Sequence, residues 1–250
     1  MATLGKAIPE KLKKDAIVEA FIEVRFDTTT IPEVLFGRLA DYPPWKGFQQ
    51  RRLAVYDIPA PMRRADPNLR YQPVFELVDP PNNRSVRIGG QVLSYHRRAP
   101  YVGWQLFHPE LNEAIDGLFD KTENLTITRL GLRYLNALRP EFHQIRSIRE
   151  LDLKLLVADQ EIVGQVNINF ARQVAEGMDS TIRMSTVEFV QGVLPTGTSV
   201  VIDVDVFTKP TVQTKDKQMV KQWIQLAHTK EKEQFFGLLK DETIDALTEK

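Results

Sequence analysis

Several segments of this 250-residue chain carry charge or amide groups at spacings of two or four residues. In an extended strand that spacing puts each set on one face. Glu19, Glu23 and Arg25 form the first set, Arg129 and Arg133 the second, Asn167 and Asn169 the third, Asp203 and Asp205 the fourth. If these strands are neighbours, guanidinium groups stand opposite carboxylates across a sheet. The ordinary outcome is a salt-bridged, solvated sheet face. The sharper one is a concave groove, lined by arginine and carboxylate, for a polar ligand. Asp203, Asp205, Glu19 and Glu23 are also the acids a metal-assisted enzyme would use.

Other chemistry is thinly represented. The four histidines, His96, His108, His143 and His228, show no His–His pair at the spacing of a metal-binding helix or finger. His228 and Glu231 lie one helical turn apart, a pair more at home on a helix surface than around a cation. No cysteine is present, which removes disulfides, thiolate metal sites and a cysteine nucleophile. No Gly-rich phosphate loop and no Gly-x-Ser-x-Gly elbow occurs. No catalytic residue, metal or cofactor is therefore expected.

Thirty-three basic and thirty-three acidic residues cancel, which excludes a uniformly cationic nucleic-acid binder. The cancellation is uneven. Residues 46–100 hold ten basic side chains against four acidic ones, a local excess of +6, and nine of the ten are arginine. Tyr71 and, just beyond, Trp104 are among the interleaved aromatics. Arginine and aromatic residues are enriched at protein interfaces, and arginine forks also suit phosphate. Arg63, Arg64 and Arg70 on a proline-rich loop, with Arg97, Arg98, Tyr71 and Trp104, are the candidate contacts for a protein partner. A nucleic acid or nucleotide gripped by the same arginines is the alternative. Internal pairing of these arginines with acids elsewhere in the chain is the plain structural reading.

The elements that must position these groups follow from periodicity. Alternation over Ile17–Phe26 predicts a strand with one buried face. Thr30 and Glu33 have capping-box spacing, with Pro32 at the first turn of a short helix. Strands are expected near Phe48–Asp57, Pro73–Val78, Ser85–Ile88 and Gln91–Arg97, with a type I′ turn at Gly89-Gly90 and a loop over Pro59–Asn68. A helix is expected to start at Pro109 and run to about Asp120. Strands over Leu125–Leu138, Val163–Phe170, Thr181–Val190 and Ser199–Phe207 come next, then a long C-terminal helix capped by Thr214. Short links between strands favour antiparallel pairing, so the fold class is α+β: mainly antiparallel sheet with helices on one face. One compact unit is expected, with two lobes, 1–140 and 141–250, as the natural subdivision. A faint echo links Phe26–Leu39 to Phe207–Trp223, where a strand runs through a Thr/Pro turn into a helix.

Three segments together, Ala16–Phe26 (AIVEAFIEVRF), Ile127–Asn136 (ITRLGLRYLN) and the His228 helix running into Phe235-Phe236 and Glu242-Thr243-Ile244, resemble a sporadically distributed family of uncharacterised bacterial proteins of about this length. Scattered distribution of that kind goes with mobile-element, toxin–antitoxin and phage-defence loci. The resemblance thus implies a partner-dependent role there and no known catalytic residues. With no apolar run of membrane-spanning length and no signal-peptide core, the expectation is a non-enzymatic cytoplasmic binding protein acting with a protein partner. Self-association is compatible with that role; membrane insertion is not.

Overall fold

The computed structural model describes residues 8–9, 12–162, 164–190 and 192–248. Eleven strands and six helices follow in chain order among these residues: β1 (Ile17–Asp27), α1 (Pro32–Ala40), β2 (Gln49–Arg52), α2 (Ala60–Ala65), β3 (Phe75–Asp79), β4 (Arg84–Ile88), β5 (Val92–Arg98), α3 (Trp104–Lys121), β6 (Thr126–Leu138), α4 (Pro140–His143), β7 (Leu156–Val157), β8 (Gln160–Glu161), β9 (Asn167–Ala175), β10 (Met178–Thr186), β11 (Val200–Thr208), α5 (Lys217–Gly237) and α6 (Asp241–Leu247).

Nine strands form one antiparallel sheet in the order β2-β3-β4-β5-β1-β6-β11-β10-β9, and β7 and β8 pair separately. The fold is α+β, as the short strand connections require. The long strands β1 and β6 meet at the centre, with Ile22 opposite Leu132 and Val24 opposite Leu130. The sheet therefore runs unbroken through both halves of the chain.

Each half repeats one plan. β1 is followed by α1 and then by the meander β3-β4-β5, whose last strand returns to pair with β1 and leads into α3. β6 is followed by α4 and then by β9-β10-β11, whose last strand returns to pair with β6 and leads into α5. The counterpart of the β11–α5 passage is thus β5–α3, not the β1–α1 passage that the sequence echo suggests.

Alternation decides the faces. Ala20, Ile22, Val24 and Phe26 of β1, Leu130, Leu132 and Tyr134 of β6, and Ile202, Val204 and Val206 of β11 are all buried and face α3 and α5. The core lies between this face and the apolar stripes Phe107, Leu111, Ile115 and Leu118 of α3 and Val220, Ile224, Ala227 and Phe235 of α5. The two helices run antiparallel: Lys217 and Lys221 at the start of α5 pair with Asp116 near the end of α3, while Trp104 at the start of α3 meets Gln225 and His228. Helix α5, at 21 residues, continues past the first residue of the 18-residue α3.

Several local expectations shift. Helix α3 begins five residues before Pro109, which lies inside it; the proline cannot donate to the carbonyl of Gln105 but the helix tolerates the loss one turn from its start. Helix α5 is capped by Asp216, whose carboxylate accepts from the backbone N–H groups of Gln218 (2.8 Å) and Met219 (3.3 Å), while Thr214 accepts from Asp216 N–H. Helix α1 has Pro32 at its first turn as expected, but no side chain caps it. Thr30 instead accepts from the N–H of Glu123, tying the β1–α1 corner to the start of β6. The 59–68 loop holds the short α2, and only Gln49–Arg52 of the 48–57 segment is strand. The second-half strands lie at 167–175 and 178–186 rather than 163–170 and 181–190; Val163 falls outside the described residues.

Gly89-Gly90 joins β4 to β5 without positive φ at either residue. Glycine is required at 89 for close approach, since a Cβ there would lie 2.7 Å from Gln72 O and from Val92 Cγ1. The left-handed turn residue of the second meander is Gly177, at φ 67°, between β9 and β10.

Candidate functional site

The side of the sheet away from α3 and α5 carries the charged sets. Glu19, Glu23 and Arg25 of β1, Arg129 and Arg133 of β6, and Asp203 and Asp205 of β11 are brought together on it by the pairings Phe21–Arg133, Arg25–Arg129 and Asp205–Arg133. They pair with one another across the strands. Arg133 holds both oxygens of Asp203, at 2.6 and 2.5 Å, and Arg183 of β10 adds a third contact at 3.1 Å. Arg129 bridges Glu23 (2.9 Å) and Asp205 (3.4 Å), and Arg25 closes on Glu23 at 2.8 Å. Glu19 accepts from Arg98 at 3.5 Å and hydrogen-bonds buried His96 at 3.1 Å.

Burial raises the Glu19 carboxyl, yet its hydrogen bond to His96 and the charges of His96, Arg98 and Arg87 outweigh it and bring the pKa down to about 2. Burial holds His96 itself below its ordinary value. Asp205 is shifted upward by burial despite Arg129 and Arg133. Because arginines occupy the carboxylates, this face is not the acid cluster that a metal-assisted enzyme needs. Among the described residues no group of three or more histidine or acidic side chains converges as a metal site.

The arginine-rich stretch divides in two. Arg97 is buried on the helix side of the sheet, in a forked pair with Glu110 of α3, Nε to Oε2 at 2.7 Å, and it also donates to the carbonyl of Asn82. Arg84 pairs with Asp79 at 2.7 Å and Arg87 with Glu76 at 2.9 Å. Arg97 is thus structural, and the plain reading of internal pairing holds for it and its neighbours. Arg98, by contrast, lies on the open face beside Glu19, and Tyr71 packs its ring against Arg25, 4.4 Å from centroid to guanidinium carbon. Arg51, Arg52, Arg63, Arg64 and Arg70 have no carboxylate partner among the described residues. The candidate contacts therefore do not form one surface, and Trp104 stands apart from all of them.

Trp104 marks a site that sequence reasoning overlooked. Where α5 continues beyond the start of α3, a cavity of about 780 Å³ opens beneath it. Its floor is Tyr134 and Asn136 of β6, and its walls are residues 101–106 from α3 and the link before it, Leu12, Asp15, Ala16 and Ile17 at the entry to β1, and His228, Glu231, Lys232, Phe235 and Phe236 of α5. The indole of Trp104 lies sandwiched between His108, 4.9 Å away, and His228, 3.7 Å away. A polar chain crosses the wall: Tyr101 and Tyr134 share a hydrogen bond of 3.2 Å between hydroxyls, and Tyr134 Oη meets His228 Nδ1 at 3.4 Å.

Glu231 is the exception in this chain of partners. It is 4% exposed, it stands in the buried stripe one turn beyond Ala227 and one turn before Phe235, and it makes no hydrogen bond or ion pair among the described residues. Burial pushes its carboxyl up to about 8, against a small opposing pull from Lys232. Burial likewise depresses His228 to about 3, helped by the charges of Lys232 and His108. Tyr101 and Tyr134 are shifted above the ordinary phenol value, burial again being the main cause. At neutral pH the cavity thus holds a neutral imidazole, two neutral phenols and a largely protonated acid.

The signal for this site was present in the stripe itself. Positions 224, 227, 231 and 235 share one helix face, and an acid at 231 interrupts an otherwise apolar row.

Compared with models of protein families and with the curated proteins, the chain matches none. Its function must be argued from the site.

Proposed function

We propose that the protein is a non-enzymatic binding protein whose ligand is a small organic molecule held in the cavity under α5. The observation that carries the reading is Glu231: a buried carboxyl with no partner among the described residues, lining a cavity large enough for a ligand. Burying an ionisable group costs several kcal/mol unless it is paired or held neutral, and a strongly perturbed acid in a cleft is a candidate functional group. The aromatic walls and few convergent polar atoms are those of a small-molecule site. Tyr101, Tyr134 and His228 supply no nucleophile or base at neutral pH. Phenols shifted upward are poor nucleophiles, and an imidazole held near 3 is too weak a base to take a proton at neutral pH.

The test is ligand-observed NMR with a panel of small organic molecules, run on the wild type and on Leu106→Trp. Leu106 lines the cavity while remaining 62% exposed, so a larger ring there narrows the rim without entering the core. Panel members that bind the wild type and are lost on Leu106→Trp support the reading. Binding indifferent to that substitution, or none at all, removes it.

A protein partner is the second reading, and one observation favours it. Five arginines between residues 51 and 70 have no carboxylate partner among the described residues, while Arg84, Arg87, Arg97 and Arg98 pair internally, and Met62 beside Arg63 is 60% exposed. An acidic partner surface would complement them. Replacing Arg64 and Arg70 by glutamate should abolish co-purification of such a partner while leaving cavity ligands unaffected.

A further inference from the structure

Resting on the reading of the cavity as a ligand site, we propose that it selects an organic cation, a primary amine on an aromatic frame, with the ammonium against Glu231 and the frame among Tyr101, Tyr134, Phe235 and Phe236. Three observations define that chemistry. Among the described residues no hydrogen-bond or ion-pair partner meets the buried carboxyl of Glu231. Lys232 follows it on the helix, and its charge only partly offsets the burial that holds the proton on Glu231. The walls around that carboxyl are largely aromatic, with Tyr101, Tyr134, Phe235 and Phe236 among them. Once ionised, Glu231 also raises the Tyr101 phenol beyond what burial does.

The rest of the wall suits the same ligand. Ring faces carry a negative quadrupole and attract cations, worth ~2 kcal/mol or more when desolvated. A bound ammonium brings a hydrogen-bond donor to Glu231, and the hydroxyls of Tyr101 and Tyr134 can accept from it, as can the side chain of Asn136 at the cavity floor. An anion at the same place would be repelled by Glu231 wherever the carboxyl is ionised. A neutral ligand could meet Glu231 only with a neutral hydrogen bond, which draws no proton from the acid and forms no ion pair. Docking the ammonium converts the protonated acid into an ion pair, so binding near pH 7 releases a proton from Glu231 to solvent.

Three matched probes test this on the full chain: 2-phenylethylamine, 2-phenylethanol and phenylacetate, titrated at pH 8.5 while following Trp104 emission. The amine should bind at least tenfold more tightly than the alcohol, and phenylacetate should bind weakest. Glu231→Gln, which keeps the shape and removes the charge, should bring the amine down to the affinity of the alcohol. Calorimetry at pH 7 in phosphate and in Tris should give different observed enthalpies for the wild type, reporting the released proton, and equal ones for Glu231→Gln. If the alcohol or phenylacetate binds as tightly as the amine, the cation proposal is overturned and the cavity remains a ligand site. If none of the three binds, the cation proposal falls as well, and the NMR panel decides the cavity independently.

Discussion

The buried acid at position 231 makes a quantitative demand on stability. In the unfolded chain its carboxyl ionises at the ordinary 4.5, whereas burial in the native cavity wall holds the proton to about pH 8. The native state therefore binds more protons than the unfolded one over that interval. The stability associated with the neutral acid is complete below pH 4.5 and is lost as pH rises toward 8. At about 1.4 kcal/mol per pH unit, the loss is about 3 kcal/mol at pH 7 and about 5 kcal/mol at pH 9. Glu231→Gln abolishes it, because an amide of the same shape does not ionise. Urea unfolding of wild type and variant at pH 4.5, 7 and 9 measures it as a difference, in which every other titrating group cancels. The variant should gain on the wild type by roughly these amounts as pH rises. Parallel profiles, with the difference constant within about 0.5 kcal/mol, would mean that Glu231 is solvated or paired, and the argument for the cavity would fail with it.

His228 sets the opposite limb. Its native pKa is held near 3 against the ordinary 6.5, so stability is lost as pH falls below 6.5, and His228→Gln should recover about 3 kcal/mol at pH 4.5 relative to pH 7. On the open face, Asp203 is 6% exposed and anchors Arg133 and Arg183, so Asp203→Ala should cost about 2–4 kcal/mol in urea unfolding, and no loss would show that the network is ornamental. Glu110→Ala leaves buried Arg97 without its carboxylate and should cost about 3 kcal/mol, while Arg64→Ala, whose guanidinium has no acid partner, should change stability by less than about 0.5 kcal/mol. Gly177→Ala forces a side chain into φ 67° and should lower the melting temperature through a cost of about 1 kcal/mol.

How far the sequence discloses this molecule depends on whether the signal is local. The alternation in β1 is read correctly because both of its faces are set by its own residues, and the co-facial sets at 19/23/25, 129/133 and 203/205 do lie together once the pairings are known. Strand order is not local: nothing in the chain says that β5 and β11 return to β1 and β6. That is also why the duplicated plan is hidden, the visible echo matching two passages that are not equivalent. The start of α3 is masked by Pro109, whose usual meaning as a first-turn residue misplaces the boundary by five residues. The sign of each arginine is legible but its partner is not, so buried Arg97 and exposed Arg98 look alike in sequence. Tyr101, Tyr134 and Trp104 read as core or interface residues, and their hydroxyls and indole acquire a shared cavity only when α5 overhangs α3. Glu231 alone was legible in kind, as a charge in an apolar row.

The account turns on what occupies the cavity, and a crystal of the wild-type protein soaked with the tightest-binding panel molecule answers that most directly. The predicted result is density for that molecule between α5 and β6, with a polar atom in hydrogen-bond reach of Glu231 and the remainder against Tyr134 and Phe235. Density for the molecule elsewhere, with only ordered water against Glu231, would contradict it.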